Sequence, residues 1–306
     1  MQAKYDTILV LDFGGQYCHL IGRRVREQGV YSEIVAHDIS PEEVKALNEK
    51  FNVKGLILSG GPASVYEPNA PKLDPRILDM NLPILGLCYG HQLLAQLTNG
   101  KVEPAACKEY GIAQVAIDKP VGLLEGLSEK EKVWMSHGDT VFALPPDFEV
   151  LAHTENCPVA AFRHKQKPIY GLQWHPEVIH TENGMLMLRN FIFQVCKCQA
   201  NWQMEDLIGK MVGELKLEVG GSRAIIGLSG GIDSSVATTL AAKALGDKLT
   251  AVFVDHGFMR EGEPEAIREA FQKFPINFII ANAQERFMQK LKGVVDPEMK
   301  RKVIGE

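Results

Sequence analysis

Short β-branched apolar runs alternate with amphipathic stretches along most of the chain, and this alternation limits the possible folds more than any other feature. Thr7–Leu11 is one such run, closed by Asp12-Phe13-Gly14-Gly15. Gln16–Gln28 then reads as a helix, with Leu20, Ile21 and Val25 on one face and Gly29 as the stop. Tyr31–Val35, Gly55–Ser59 and Pro83–Gly86 are further strand candidates. Ser40-Pro41-Glu42-Glu43 is a helix start, with a Ser cap, Pro at the first position and acids in the first turn. Strands alternating with helices predict a parallel sheet with helices on both faces. Between Gly111 and Leu172 the rhythm changes: Ala113–Ile117, Glu149–His153, Val159–Arg163 and Ile169–Leu172 follow one another as strand-like pieces, before Thr181–Val195 returns to helix. A second alternation starts with the helix Asn201–Glu218, whose Met204, Leu207, Ile208, Met211 and Leu215 share a face. It continues with strand Arg223–Leu228, a Gly/Ser loop, helix Asp233–Leu245, strand Leu249–Val254, helix Glu263–Phe271 and strand Ile276–Ile280. At ~150 residues per domain the length suits two domains. The boundary is placed near residues 197–202, giving domains 1–198 and 199–306.

Composition narrows the class of function. Hydrophobic residues make up 45% and charged residues 23%, ordinary globular values that exclude a disordered chain or a small disulfide scaffold. The net charge of −5 carries no basic footprint, so no nucleic-acid partner is expected. Small anions remain open, because backbone amides bind phosphate without a basic patch. No apolar stretch reaches the ~18 residues of a membrane span, and the opening M-Q-A-K-Y-D-T has no signal-peptide pattern. Cys18, Cys88, Cys107, Cys157, Cys196 and Cys198 form no C-x-x-C pair, which predicts reduced thiols and a cytoplasmic setting. Cys196 and Cys198 lack companion metal ligands and read as ordinary thiols.

Three segments predict one chemical site. In Pro83–Gln92 a buried strand passes at once into a helix with Cys88 at the turn, flanked by Gly86 and Gly90. Such an elbow exposes the side chain at the carboxyl edge of a sheet and aims helical N–H groups at the sulfur, favouring the nucleophilic thiolate. A cysteine nucleophile needs a base, and the base needs a carboxylate to fix its tautomer. Gln173-Trp174-His175-Pro176-Glu177 can place imidazole and carboxylate side by side on a rigid turn. Ser59-Gly60-Gly61-Pro62 leaves backbone N–H groups unshielded, which suits an oxyanion hole. Against these stand a buried core cysteine and a plain glycine turn. His19, His37, His91, His153, His164 and His180 read as structural or surface histidines, and His137 as a backbone binder.

S-G-G-P, G-L-C-Y-G-H-Q and Q-W-H-P-E, with the opening D-F-G-G-Q-Y and M-S-H-G-D at Met135–Asp139, resemble the class I glutamine amidotransferase domain over residues ~5–195. The resemblance implies a flavodoxin-like open sheet and a Cys88 nucleophile that attacks the side-chain amide of glutamine. It makes His175 the acid and base, Glu177 its orienting carboxylate, and Gly60, Gly61 and Tyr89 the oxyanion site. Gln92, with Ser136 and His137, would hold the glutamine head group.

Ile225–Val236 is a strand, a Gly/Ser loop and a helix start, a ready anion cradle without a Walker pattern. Ser229-Gly230-Gly231-Ile232-Asp233-Ser234-Ser235 resembles the pyrophosphate loop of N-type ATP pyrophosphatases, which split ATP between the α and β phosphates. That implies an adenine-nucleotide α-hydrolase-like parallel α/β domain, with Val254 at the adenosine edge and Asp233 acting on Mg2+ with ATP. Joined in this order, with Phe253–Glu263 and Asp296–Gly305, the two halves resemble the glutamine-hydrolysing GMP synthetase family. The family implies that ATP adenylates the C2 oxygen of xanthosine 5′-monophosphate (XMP) and ammonia replaces AMP, with Arg301 contacting XMP. The basic run Lys300-Arg301-Lys302 taken by itself reads as a solvated helix face. The family's second domain continues past Glu306 and is followed by a dimerisation domain, so the synthetase half is expected to be incomplete here and the full-length protein a homodimer. The alternatives are a stand-alone glutaminase or γ-glutamyl hydrolase with a vestigial second domain, and a non-catalytic nucleotide-binding module.

Overall fold

The computed structural model describes residues 4–305, so Met1–Ala3 and Glu306 lie outside it. Two compact units divide at Gln203 and Met204. The first is built from β1 (Asp6–Asp12), α1 (Cys18–Arg26), β2 (Tyr31–Ala36), α2 (Pro41–Lys50), β3 (Asn52–Leu58), β4 (Ile84–Leu87), α3 (Tyr89–Leu97), β5 (Lys101–Ile117), β6 (Lys130–Ala143), β7 (Phe148–His153), β8 (Ala161–His164), β9 (Ile169–Leu172) and α4 (Gly184–Arg189). One nine-stranded sheet runs in the order β2-β1-β3-β4-β9-β8-β7-β5-β6. The strands β2, β1, β3, β4 and β9 are parallel, and the rest join antiparallel.

Residues of β1 show why the parallel part reads as an unbroken apolar run. Ile8 and Val10 enter one core with Ile21 and Val25 of α1, whereas Leu9 and Leu11 enter the other with Val44 of α2 and Leu93 of α3. Both faces are buried, so both phases of the strand must be apolar. The chain steps one way from β1 to β2 and the other way from β2 to β3, so right-handed crossovers put α1 and α2 on opposite faces. Ser40 caps α2 in a full capping box with Glu43. After α4 the helix widens into a π turn at Asn190–Val195.

The first unit extends past its last helix. Asp6, 4% exposed at the start of β1, accepts the Gln199 N–H (2.8 Å) and the Asn52 amide (2.6 Å), and its own N–H donates to Asn201 Oδ1 (3.0 Å). The Trp202 indole, 4% exposed, lies against Tyr31, with ring centroids 6.0 Å apart.

The second unit has α5 (Met204–Val219), β10 (Ala224–Leu228), α6 (Ile232–Leu245), β11 (Leu249–Asp255), α7 (Glu263–Phe271), β12 (Asn277–Asn282), α8 (Gln284–Leu291) and α9 (Pro297–Gly305). Its sheet is parallel in the order β10-β11-β12. Here the crossover helices are arranged differently from those of the first unit. The strands step in one direction, so right-handed crossovers place α6 and α7 on the same face. That face buries Leu228, Phe253 and Leu249. On the other face Ile225 is 75% and Ile279 42% exposed. Met204 and Met211 of α5 are exposed too, so its apolar stripe is only half used. Among the described residues no helix is long and apolar enough to cross a membrane.

The turn after β4 leaves no room for a side chain. A Cβ on Gly86 would lie 2.4 Å from Gly90 O, and one on Gly90 would lie 2.6 Å from both Leu58 Cβ and Leu58 O. Gly90→Ala therefore forces α3 away from β3. It should lower stability by about 1–3 kcal/mol, the usual cost of overpacking a core, seen as a lower midpoint in thermal unfolding.

Candidate active site

At the end of β4 the backbone folds into the sharp turn expected at Cys88, which sits at φ 51° and ψ −102°. For a residue with a Cβ this conformation costs about 1–3 kcal/mol and persists only where surrounding contacts impose it. Those contacts are present: the Cys88 N–H donates to Leu172 O of β9 (2.8 Å), and the Gly90 N–H donates to Ser59 O after β3 (3.2 Å). The thiol is 6% exposed and faces Ser136 O at 3.5 Å. Tyr89 heads α3, so its N–H has no intrahelical acceptor.

His175 and Glu177 follow β9, the strand next to β4. His175 Nδ1 lies 2.7 Å from Glu177 Oε1, with the histidine 5% and the glutamate 1% exposed. The His175 main chain is held on both sides: its N–H donates to Trp134 O (3.1 Å), and Thr181 Oγ1 donates to its carbonyl (2.6 Å). Burial alone would drive the imidazole neutral. The hydrogen bond to Cys88 and the bond and charge of Glu177 outweigh it and raise the His175 pKa well above 6.5. Since Nδ1 is engaged by Glu177, Nε2 is the nitrogen left for the thiol. Gly60 closes the group, because a Cβ built on it would meet His175 Cε1 at 3.0 Å and Cys88 Cβ at 3.6 Å. Ser59 fixes this loop, its Oγ accepting from the Phe13 N–H (3.0 Å) and donating to Gly60 O (3.0 Å).

A cavity of about 570 Å³ opens beside Cys88, lined by Gly61, Tyr89, Gln92, Ser136 and His137, with Lys108 and Asp139 as its charged residues. The sequence-predicted residues Gly61, Cys88, Tyr89, Gln92, Ser136 and His137 thus meet in one place. The amide nitrogen of Gln92 is committed within the protein, donating to Asp139 O (2.9 Å) and Gln173 Oε1 (3.1 Å). Both ring nitrogens of His137 are engaged within the protein. Its Nδ1 meets Asp139 O (2.9 Å) and its Nε2 meets Glu109 Oε2 (3.0 Å), which fits a residue used through its backbone. Glu109, His137 and Cys157 lie within 4.8 Å of one another, a grouping the sequence did not reveal. Each is already engaged: Glu109 Oε1 accepts from Thr154 Oγ1 (2.8 Å) and Cys157 Sγ from Thr140 Oγ1 (2.9 Å). A second unforeseen neighbour is Tyr17, edge-on to His175 with ring centroids 5.1 Å apart. His91 is fully buried against Phe162, and burial pushes its pKa down to about 3, a neutral packing role.

In the second unit the Gly/Ser loop follows β10 as expected. Gly230 turns at φ 86°, and Ser229 and Ser234 hydroxyls share a 2.9 Å hydrogen bond. The Ser234 hydroxyl also donates to Gly231 O (3.0 Å), and the first N–H groups of α6, at Ile232, Asp233 and Ser234, gather at the loop. Asp233 with the serine hydroxyls is an all-oxygen donor set, suited to a hard cation carried by phosphates. Val254, 40% exposed, lies near the carboxyl end of the adjacent strand β11, on the edge where open α/β sheets take ligands. Arg301 is exposed on α9 and holds Glu298 through Nη2 (2.6 Å) and Nε (2.9 Å).

Comparison with known proteins finds a family model for each of the two units. Residues 9–195 match the family model "Glutamine amidotransferase class-I", and residues 203–302 match "NAD synthase". A GMP synthase [glutamine-hydrolyzing] of Caldanaerobacter subterraneus subsp. tengcongensis is 50% identical over 306 residues, 100% of this chain and 59% of its own length. One from Lactobacillus acidophilus is 51% identical over 99% of this chain and 58% of its own. The chain thus spans under two thirds of the length of these relatives. Among solved structures, a Thermoplasma acidophilum protein described as one subunit of a GMP synthase superposes with TM-score 0.57 at 36% identity, over 64% of this chain and 96% of its own. A glutamine amidotransferase from Thermotoga maritima shares the fold at 18% identity, TM-score 0.50, over 64% of this chain and 100% of its own.

The raised His175 pKa fixes a pH dependence. Above the unfolded value the folded chain holds the proton that the unfolded chain releases. Stability from this pair is therefore complete below about pH 6.5 and is lost as pH rises through the folded pKa. Glu177→Gln removes the charge that holds the proton. The His175 NMR titration midpoint should move down toward 6.5, and the variant's loss of thermal stability should be larger at about pH 6 than at about pH 9.

Proposed function

From the premise that this chain belongs to the glutamine amidotransferase class-I family, we propose that its first unit is a glutaminase and its second binds ATP, together serving GMP synthesis from XMP. The observation that carries the reading is Cys88 lining the cavity and meeting the buried His175 at Gly60, with Nδ1 of that imidazole 2.7 Å from a buried carboxylate. In the reaction, the sulfur attacks the glutamine amide carbon while the N–H groups of Gly61 and Tyr89 receive the developing oxyanion, Gly60 shaping that loop. The C–N bond breaks, and His175 gives its proton to the departing nitrogen, so ammonia and a glutamyl thioester form. His175 then takes a proton from water as the water oxygen bonds to the thioester carbon, the C–S bond breaks, and glutamate leaves with the thiolate restored. Glu177 holds the Nδ1 proton throughout. Gln92, Ser136 and His137 hold the glutamine, in a cavity where Lys108 and Asp139 supply opposite charges for an amino-acid zwitterion.

In the second unit Ser229, Gly230, Gly231, Ile232, Asp233, Ser234 and Ser235 receive the ATP phosphates and Val254 the adenosine. Mg2+ bound with ATP would neutralise phosphate charge, with Asp233 as the carboxylate that would hold it. Adenylation of XMP at its C2 oxygen and displacement of AMP by ammonia would complete the reaction, with Arg301 toward the XMP phosphate. Such a contact would trade its exposed Glu298 partner for a stronger anion. About 50% identity across the whole chain to GMP synthases supports this over a stand-alone glutaminase. The reading brings a homodimeric full-length protein and no nucleic-acid partner, the latter supported by the net charge of −5. Free cysteines support a reducing, cytoplasmic setting.

Two measurements test the reading. Cys88→Ala should cut glutamate release from glutamine by roughly 10³-fold or more, the scale of losing a nucleophile, and abolish the adduct with diazo-oxo-norleucine. Asp233→Asn should weaken binding of ATP with Mg2+ in calorimetry and leave glutamate release unchanged. Glutamate release that is wholly indifferent to ATP and XMP in a protein that includes the remainder of the second half would favour the stand-alone glutaminase.

A further inference from the structure

Glu109 of β5 and His137 of β6 are direct cross-strand partners, and the pairing of these strands shifts register just before Glu109. A shift of this kind re-aims the side chains beside it. Glu109 Oε2 lies 3.0 Å from Nε2 of His137, a residue only 4% exposed. The other carboxyl oxygen of Glu109 accepts from Thr154 Oγ1, just after β7 (2.8 Å). That hydroxyl accepts in turn from the N–H groups of Asn156 (3.2 Å) and Cys157 (2.9 Å). The Thr154-Glu155-Asn156-Cys157 turn is therefore a socket for the acid. His137 lines the glutamine cavity, and Glu109 stands behind it, outside the lining.

We propose that Glu109 is a positioning residue for glutamine, acting through the His137 ring on the Gln92 side chain. The proposal rests on the glutaminase reading and goes beyond it by giving a role to a residue outside the cavity. Protons carry the argument. A carbonyl oxygen only accepts, so the 2.9 Å contact between His137 Nδ1 and Asp139 O puts a proton on Nδ1. A neutral ring with that proton bares a lone pair at Nε2. Opposite Nε2 stands a carboxyl oxygen, and their contact is a hydrogen bond only with a second proton between them. Glu109 provides the place for that proton, and so holds the ring with its Nδ1–H turned to Asp139. Glu177 engages Nδ1 of His175 and leaves Nε2 for a thiol; Glu109 engages Nε2 of His137 and leaves Nδ1 for a main-chain oxygen.

The same main-chain oxygen carries the effect to the ligand. Asp139 O also accepts from Gln92 Nε2 (2.9 Å), which donates its second proton to Gln173 Oε1 (3.1 Å). With both amide protons spent, Gln92 Oε1 is the atom left for glutamine, and Asp139 O helps set its direction. Cys157 lies within 4.8 Å of Glu109 and His137, and burial, which pushes its pKa up to about 11, keeps it a neutral thiol beside them. The Cys88 backbone is held separately, its N–H donating to Leu172 O. Loss of Glu109 therefore loosens the grip on glutamine before it disturbs the nucleophile.

The test separates binding from chemistry. Glu109→Leu keeps the volume and removes the bonds. Glu109→Gln accepts from Thr154 through its amide oxygen and donates to His137 Nε2 through its nitrogen, so it keeps them. Glutamate release is measured over a range of glutamine concentrations. Cys88 alkylation is timed with diazo-oxo-norleucine, which mimics glutamine, and with iodoacetamide, which does not. Glu109→Leu should raise KM for glutamine about tenfold or more, the scale of orphaning a buried hydrogen-bond partner, with kcat within about threefold. It should slow the first alkylation to a like degree and leave the second within about twofold. Glu109→Gln should return KM to within about threefold of wild type. Glu109→Asp, which keeps the charge but falls one methylene short of the ring, should lie between the two. KM unchanged in Glu109→Leu or in Glu109→Asp, a Glu109→Gln chain as impaired as Glu109→Leu, or both alkylations slowed alike overturns the positioning role. Wild-type chain that neither forms the diazo-oxo-norleucine adduct nor releases glutamate overturns the glutaminase reading itself.

Discussion

Everything at the first site depends on three neighbouring parallel strands ending at one level. Strands β3, β4 and β9 are adjacent, with Leu58 paired to Gly86 and Leu87 to Leu172. The loops that follow them carry Ser59-Gly60-Gly61, Cys88 and His175. Two backbone hydrogen bonds, Cys88 N–H to Leu172 O and Gly90 N–H to Ser59 O, fasten the loops to each other. The unfavourable backbone angle at Cys88 is thus held by the sheet's own ladder, and the sulfur has little freedom to wander from the imidazole. Geometry of this precision on strand ends is what pre-organised catalysis needs.

Burial sets the character of the other ionisable groups, and partners decide the sign. His175 and His91 are both buried, yet the first is raised well above 6.5 and the second lowered to about 3. The difference is a carboxylate and a thiol beside one ring, and for the other desolvation as the largest influence, with the charge of His137 adding to it. Among the thiols, desolvation pushes Cys18 up to about 12 and Cys157 up to about 11, which keeps them protonated and inert at neutral pH. A cysteine-rich core can therefore surround one reactive sulfur without competing with it.

The strand-helix rhythm was readable wherever both faces of a strand are buried, because nothing but apolar residues fits there. It failed in the β5–β6 hairpin. Only Ala113–Ile117 of the 17-residue β5 reads as a strand, since its outer half is solvated on both sides. In β6 the inward positions are Glu131, Val133, Met135 and His137, so acid and imidazole interrupt the apolar period. The fold satisfies them, Glu131 with Asn183 (2.7 Å) and His137 with Glu109, but no local pattern announces it. The helix expected from Thr181 begins at Gly184 because the Thr181 hydroxyl is taken by the His175 carbonyl and accepts from the Trp134 N–H (3.0 Å). The grouping of Cys88, His175 and Glu177 was legible because each member sits in a short, rigid motif. Tyr17 and Glu109 were not, because their importance comes from what long-range folding places opposite them.

The attachment at Asp6 has a practical corollary. Its buried carboxylate is satisfied by Asn52 and by a peptide group that lies beyond the last helix. An excised amidotransferase fragment that stops before Gln199 would leave one of those oxygens short of its donor and strip the indole from Tyr31. A fragment carried through Gln203 keeps both. The segment that looks like a tether is, in energetic terms, the clasp of the first unit, fastened at the amino end of β1, the strand end opposite the one on which the chemistry sits.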